Sequence, residues 1–587
     1  MTETVAREWL AGLSEALEQR DLDAIDDLFL PDGWWRDLLA LTWDLRTLRG
    51  TDRIRGMLEE HLDAASPSGF TLTEGKPVAL VEPAEDVRWI EAFFDFETAV
   101  GRGRGVVRLM PDGGGWRAWT LLTALQELKG HEEHAGPRRP WGVEHGEQAG
   151  REIWLDRRRR EQSFEDREPR VLVVGAGQGG LTVAARLRQL GVDTLVVERN
   201  RRVGDNWRRR YRSLVLHDPV WYDHLPYLAF PPTWPVFTPK DKLAEWFESY
   251  AAAMELDVWT ETELVGAFYD DAAGTWDVRV RRPGGEERAL RPAHVVLATG
   301  ASGEPRVPEI PGLEDFRGTV SHSSGHPGGE AFAGRRAVVV GACNSGHDIA
   351  HDFHEQGADV TMVQRSSTYV MSSEHGIPLV FAGLYEEGGP PTEDADLLFA
   401  AFPFPLLGEL NKQTTQAIAE LDRELLEGLS EAGFAIDFGE DGSGLLTKYL
   451  TRGGGYYIDV GCSRLIAEGK VKVKQGVAIE RFTETGLAFA DGTSLEADVV
   501  VLATGYEDMR ETARRLLGDE VADRCTPVWG LDEEGELRTI WRDSGHPGLW
   551  FMGGNLHLCR FFSRYLALRL KALETGLLPE ASTARAV

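Results

Sequence analysis

Two strand–glycine turn–helix patterns in one chain constrain this sequence more than any other feature. The first reads Arg170-Val-Leu-Val-Val-Gly175-Ala-Gly177-Gln178-Gly-Gly180-Leu181. A four-residue apolar strand precedes it, and a helical pattern (Leu181, Ala184, Ala185, Leu187) follows. A second apolar strand, 194–197, then ends at Glu198. Each residue has a physical task. Gly175 permits the tight turn, Gly177 lets backbone approach a pyrophosphate, and Gly180 lets helix and strand pack closely. The helix start at Gln178 offers unpaired N–H groups and a positive dipole to an anion. Glu198 can accept from both ribose hydroxyls.

The second copy is Arg336-Ala-Val-Val-Val-Gly341-Ala-Cys343-Asn344-Ser345-Gly346. Cys343 replaces the middle glycine, and Gly346 keeps the third. The strand after its helix, 360–363, ends not in a carboxylate but in Gln364-Arg365-Ser366-Ser367. A carboxylate there would repel a ribose 2′-phosphate, whereas Arg365 with Ser366 would bind one. The pair therefore predicts FAD in the first fold and NADPH in the second. Segments ending in Ala-Thr-Gly flank the second copy at 295–300 and 499–505, placing Thr299, Thr504 and Gly505 at strand ends. The expected architecture is α/β, with two Rossmann-like domains and the NADP domain inserted in the FAD domain. The ranges are 170–328 for the first FAD part, 329–480 for the NADP domain and 481–587 for the second FAD part.

Ahead of these, residues 1–130 read as a small α+β unit. Val5, Trp9, Leu13 and Leu17 form an amphipathic helical stripe, and a second pattern (Leu22, Ile25, Leu28, Phe29) stops at Pro31. Beyond 69 the period becomes two, with strands expected near 71–81, 87–100 and 103–110, and a hairpin turn at Pro111–Gly115. Helices followed by a curved antiparallel sheet resemble the NTF2-like (SnoaL-type) fold. Residues 131–169 form a charged linker with a short helix near Trp154. Its Arg157–Arg160 run is flanked by acids and reads as a solvated face or interdomain contact.

Composition excludes several classes. Acidic residues outnumber basic ones 95 to 64, and the net charge of −31 disfavours nucleic acid and anionic membranes as partners. Four cysteines without a CxxC pair argue against a disulfide framework, a zinc ribbon and a dithiol reductase. The N-terminus lacks a basic region followed by an apolar core, so no secretory leader is expected, and the location expected is cytoplasmic.

The region 170–587 resembles the class B flavoprotein monooxygenases, the group of flavin-containing monooxygenases and Baeyer–Villiger enzymes. Gly204-Asp-Asn206-Trp207 matches the GxxW beside FAD, and Phe316-Arg-Gly318-Thr-Val-Ser-His322-Ser323 matches the fingerprint FxGxxxHS. Leu502-Ala-Thr504-Gly505-Tyr506 matches the LATGY expected to close the chain back onto the FAD domain. Tyr211-Arg-Ser-Leu-Val-Leu-His217-Asp-Pro219 and Tyr457-Ile-Asp459-Val-Gly461 are similar to plant auxin-type flavin monooxygenases. The fingerprint ends in His326-Pro327, where the family carries an aromatic residue.

The resemblance implies an enzyme dependent on NADPH and O2 that inserts one oxygen into a small organic substrate through a flavin hydroperoxide. The chemistry would be N- or S-oxygenation or oxidation of a keto acid. Alternatives are a Baeyer–Villiger-type monooxygenase and an NADPH oxidase or reductase releasing hydrogen peroxide. His217, Asn344 and Asn555 are the candidate catalytic donors. Asn206, Trp207, Thr299 and Gly554, together with the turn residues above, are candidate cofactor contacts. A homo-oligomer is expected, with a dimer favoured, and no nucleic acid or membrane partner. His347 and His351 have a metal-like spacing, but their helix already serves the second nucleotide site, and no metal is expected. Phe402 and Phe404 suggest an apolar substrate pocket or an oligomer contact. Trp34, Trp35 and Trp43 suggest either a channel cap or core.

Overall fold

The computed structural model describes residues 1–143 and 145–578. Two five-stranded parallel sheets organise the chain beyond residue 170. The first has strands in the order Val258–Trp259, Thr194–Val197, Val171–Val174, His294–Leu297 and Leu549–Phe551. The second runs Thr319–His322, Val499–Leu502, Arg336–Val340, Asp359–Gln364 and Val471–Gln475. Most of these strands are short, nearly continuous apolar runs, as sheets covered by helices on both faces require. Val171–Val174 and Val499–Leu502 are buried along their whole length.

All strands of the second sheet lie between the fourth and fifth strands of the first, so the second unit is inserted in the first. Its limits differ from those expected. It begins by Thr319 rather than 329, since Thr319–His322 pairs with Val499–Leu502. It extends past 480 to Leu502, because Val499–Leu502 also pairs with Arg336–Val340. The LATGY segment therefore completes the second sheet, and the return to the first comes only with Leu549–Phe551. A small antiparallel sheet at 479–496 precedes Val499 and imitates a domain start.

In the N-terminal unit, helices Thr2–Gln19, Leu22–Leu28 and Thr51–Ala65 pack on a seven-stranded sheet. The expected second helix stops two residues earlier than Phe29-Leu30-Pro31 suggested. Phe29–Leu38 is a strand, with a register break between Phe29 and Trp34 that accommodates Pro31. The strand expected at 71–81 is two, Ser68–Leu72 and Val78–Ala84. Trp34 and Trp35 are core; the Trp35 indole stacks on Phe29 and donates to Thr123 Oγ1 at 2.9 Å. The linker helix is Trp154–Ser163, and within the arginine run Arg158 is buried against Asp257 at 2.7 Å.

This unit is clamped to the rest of the chain. Phe402 stands edge-on to Trp89 and Trp119, with the Arg108 guanidinium 3.5 Å from its ring centroid. Arg36 lies 4.4 Å over Phe404 and donates to Ala400 O at 3.0 Å. Phe402 and Phe404 are thus anchors within the chain, not walls of a substrate pocket. Long planar side chains stacked under guanidinium groups gain both apolar burial and cation–π attraction.

Candidate active site

The two glycine turns sit at the carboxyl ends of their sheets, the position where open α/β sheets bind ligands. Gly175 has φ 109°, and a Cβ there would stand 2.6 Å from Ala298 O. Gly341 repeats the arrangement with φ 128° and 2.2 Å to Ala503 O. Each Ala-Thr-Gly segment therefore presses on the turn of its own sheet. At Gly180 and Gly346 a Cβ would lie 1.9 Å and 2.2 Å from Gly175 O and Gly341 O, which explains the third glycine in both copies.

Helices Gln178–Gln189 and Asn344–Glu355 both start without a side-chain cap among the described residues. Their first N–H groups and dipoles are left for an anion. Glu198, buried at the end of its strand, accepts from Ala176 N and Asn200 N at 2.8 Å each, so its carboxylate stands directly beneath the first turn. Among the described residues a Cβ on Gly177 would meet the Asn206 side chain alone, with Nδ2 at 3.1 Å. Thr299 Oγ1 and Trp207 Nε1 are buried without hydrogen-bond partners among the described residues. Gln178 Nε2 donates to Gly554 O at 3.2 Å, tying the first helix to the turn after the fifth strand. These features fit a bound dinucleotide. Arg365 and Ser366 are exposed at the end of Asp359–Gln364, where a second dinucleotide's ribose would lie.

The other candidate residues make contacts within the fold. Asn344 Oδ1 accepts from Ile458 N at 3.0 Å and braces the strand Tyr456–Asp459. Cys343 turns its sulfur to Gly455 N at 3.3 Å, and Ser345 stands beside Tyr211. Thr504 donates to Arg306 O at 2.6 Å. His322 lies 3.0 Å from Gly505 O, so the fingerprint histidine joins the second sheet's two adjacent motif strands. Asn555 Oδ1 caps the C-terminal helix Leu556–Glu574 by accepting from Leu558 N, while its Nδ2 donates to Tyr222 Oη at 3.3 Å. The buried Tyr449 hydroxyl accepts from Asn555 N at 3.1 Å.

Asp348, a residue sequence reading did not single out as functional, joins the units. It lies on the second unit's helix, accepts from Tyr211 Oη at 2.7 Å, and lies 3.4 Å from His217 Nε2. Burial alone would push His217 down, but the hydrogen bond and charge of Asp348 carry it above the ordinary histidine value. His347, next on that helix, is buried face-to-face on Tyr457 at 3.7 Å, and burial pushes it down to about 4. The only sequence signal for Asp348 was its helical offset from Asn344.

Two uncapped nucleotide helices facing separate parallel sheets, one unit inserted in the other, define a flavoprotein-type oxidoreductase with two dinucleotide sites. A family model described as pyridine nucleotide-disulphide oxidoreductase matches residues 172–376. The chain is 33% identical over 353 residues to indole-3-pyruvate monooxygenase YUCCA1 of Oryza sativa subsp. japonica, spanning 60% of this chain and 80% of that protein. It is 33% identical over 340 residues to the probable indole-3-pyruvate monooxygenase YUCCA4 of Arabidopsis thaliana, spanning 58% and 76%. The fold is shared with cyclohexanone monooxygenase bound to ε-caprolactone: TM-score 0.52, 18% identity, 70% of this chain and 90% of that one. The chain belongs to the YUCCA flavin monooxygenase family. It is an FAD-dependent NADPH monooxygenase, an oxidoreductase. No helix among the described residues is long and apolar enough to cross a membrane.

Proposed function

We propose that this enzyme uses NADPH and O2 to insert one oxygen atom into a small organic substrate, by N- or S-oxygenation or oxidation of a keto acid. The observation that carries the reading is the contact of Tyr211 and His217 with Asp348, which holds the two nucleotide sites in one mutual position. The Gly175–Gly180 turn, Glu198, Trp207 and Thr299 would hold FAD, and Gly341–Gly346 with Arg365 and Ser366 would hold NADPH. A flavin held there would supply the redox and oxygen-transfer chemistry. The chain's own work is positional. Gln178 and Gly554 lock the floor of the site, Asn555 orients Tyr222 and Tyr449, and His217 holds a proton at Nε2 against Asp348. The buried Tyr222 ring beside Asn555 would help exclude water, which suppresses loss of oxygen as peroxide.

NADPH, O2 and a proton would be consumed with substrate to give NADP+, oxygenated substrate and water. The test is the ratio of hydrogen peroxide released to NADPH consumed, read across a panel of amines, thioethers and keto acids. A substrate that lowers the ratio well below one and acquires 18O from 18O2 supports the reading. A ratio of one for every compound overturns it in favour of an oxidase.

A further inference from the structure

The hairpin between the helix Asp519–Arg524 and the strand Leu549–Phe551 holds three non-glycine residues in the left-handed region, Trp529 at φ 75°, Thr539 at 67° and Trp541 at 63°. Residues with a Cβ rarely take this conformation, and it persists only where surrounding contacts over-determine it. Two sets of contacts do so, one at each end of the hairpin. At the tip, Leu531 bridges to Leu537, and Asp532 Oδ1 accepts from Glu534 N and Glu536 N at 2.9 Å each. The N-terminal unit then grips that tip at three points. Arg46 forks onto Glu534 with both bonds at 2.7 Å. Arg36 and Thr47, directly opposite each other on adjacent strands, share the Glu536 carboxylate. Arg542 links Asp532 at 2.7 Å to Asp44 at 3.0 and 3.1 Å.

At its base the hairpin backs the turn 552–555, which touches the start of the first nucleotide helix: a Cβ on Gly179 would stand 3.1 Å from Met552 O. Trp541 is buried, lies flat on Phe562 at 4.0 Å, and donates from Nε1 to Gly553 O at 3.0 Å. A Cβ on Gly554 would meet its ring at 3.5 Å. Trp529 Nε1 donates to Tyr449 O at 2.9 Å, and the Tyr449 hydroxyl accepts from Asn555 N. One short hairpin thus connects the N-terminal unit to the turn that Gln178 holds at Gly554 O.

We propose that Trp541 and Trp529 are positioning residues for the flavin, and that the N-terminal unit sets them by holding the hairpin tip. The indole N–H of Trp541 fixes the Gly553 carbonyl, and with it the direction of Gly554 and the start of the helix Leu556–Glu574. Releasing the tip lets the left-handed residues relax, and the indoles leave the turn. The inference rests on the reading that places FAD at the first glycine turn, and is independent of the fate of oxygen.

The experiment uses the flavin-loaded full chain. The dissociation constant of FAD is read from the flavin fluorescence released on dilution, and the flavin environment from its visible circular dichroism, both well below each variant's Tm. Trp541→Phe keeps a ring on Phe562 but loses the N–H, Trp529→Phe does the same at Tyr449, and Glu534→Gln touches only the remote tip. Each should raise the FAD dissociation constant at least about fivefold and change the circular dichroism. Glu534→Gln combined with Trp541→Phe should lose no more than the larger single loss, because both act through one hairpin. If Trp541→Phe does not fold, Glu534→Gln with Trp529→Phe makes the same comparison. A Glu534→Gln protein that loses only Tm, with flavin binding and dichroism as in wild type, overturns the proposal; so do losses that multiply in the double variant. Gly180→Ala, assayed alongside, tests the placement of FAD by itself, since retention of FAD there would sink that reading.

Discussion

Arg36 and Glu536 stand 500 positions apart and form a buried forked ion pair, Nε to Oε1 at 2.6 Å and Nη2 to Oε2 at 2.8 Å. Both side chains are 1% exposed. Thr47 Oγ1 adds a third donor to the same carboxylate at 2.6 Å. Removing one partner leaves the other charge buried and uncompensated, which costs about 3–5 kcal/mol. Glu536→Gln and Arg36→Met should each lower stability on that scale, and the double variant should lose less than their sum. Denaturant unfolding of the four proteins in the cycle measures it. Additive losses would mean the pair is not coupled in solution.

The third glycines separate the two cofactor sites experimentally. Gly180→Ala places a methyl 1.9 Å from Gly175 O and must push the first helix off its strand. The expected product is protein purified without its yellow chromophore. Gly346→Ala meets Gly341 O at 2.2 Å and should keep the chromophore while raising the KM for NADPH at least about tenfold, a loss of about 1.4 kcal/mol of binding. Absorbance spectra and steady-state kinetics distinguish the outcomes. Loss of flavin in both variants would contradict independent sites.

Much of this arrangement was legible in the sequence where the signal is local. Gly175, Gly177, Gly180 and Glu198 announce a turn and a strand end within one short stretch, and the structure places them together. Signals that depend on distant pairing were not legible. The strand Val499–Leu502 has the same apolar character whichever sheet it joins, and only its pairing with Arg336–Val340 assigns it. Phe402 reads as a pocket residue or an oligomer contact until Trp89, Trp119 and Arg108 are found around it. Asn344 shows the same limit: its place at a helix start was evident, but the Ile458 N–H that occupies its side chain comes from another strand.

Arg365 tests coenzyme choice. Its exposed guanidinium at the end of Asp359–Gln364 offers a planar fork for a ribose phosphate, which a shorter side chain cannot replace. Arg365→Ala should lower kcat/KM for NADPH by at least about tenfold and leave that for NADH within about twofold. Equal losses for both coenzymes would assign Arg365 to folding rather than to phosphate recognition.

The His217–Asp348 contact makes the junction between units sensitive to pH. His217 is held above its ordinary value, so its folded form binds a proton more tightly than its unfolded form. By linkage, this stabilisation is fully present below the unfolded value of about 6.5 and is lost as pH rises through the higher folded value. His217→Gln removes the titrating group but keeps a polar side chain of similar reach. The difference in Tm between wild type and H217Q should therefore be largest near about pH 6 and shrink steadily toward about pH 9. Asp348→Asn should shrink the same pH-dependent part, because the neutral amide removes the largest of the charges that hold the imidazolium, leaving Asp218 and Asp459. Thermal unfolding of the three proteins across this range reads the effect directly, and a difference that grows with pH would reverse the assignment of charge at this contact.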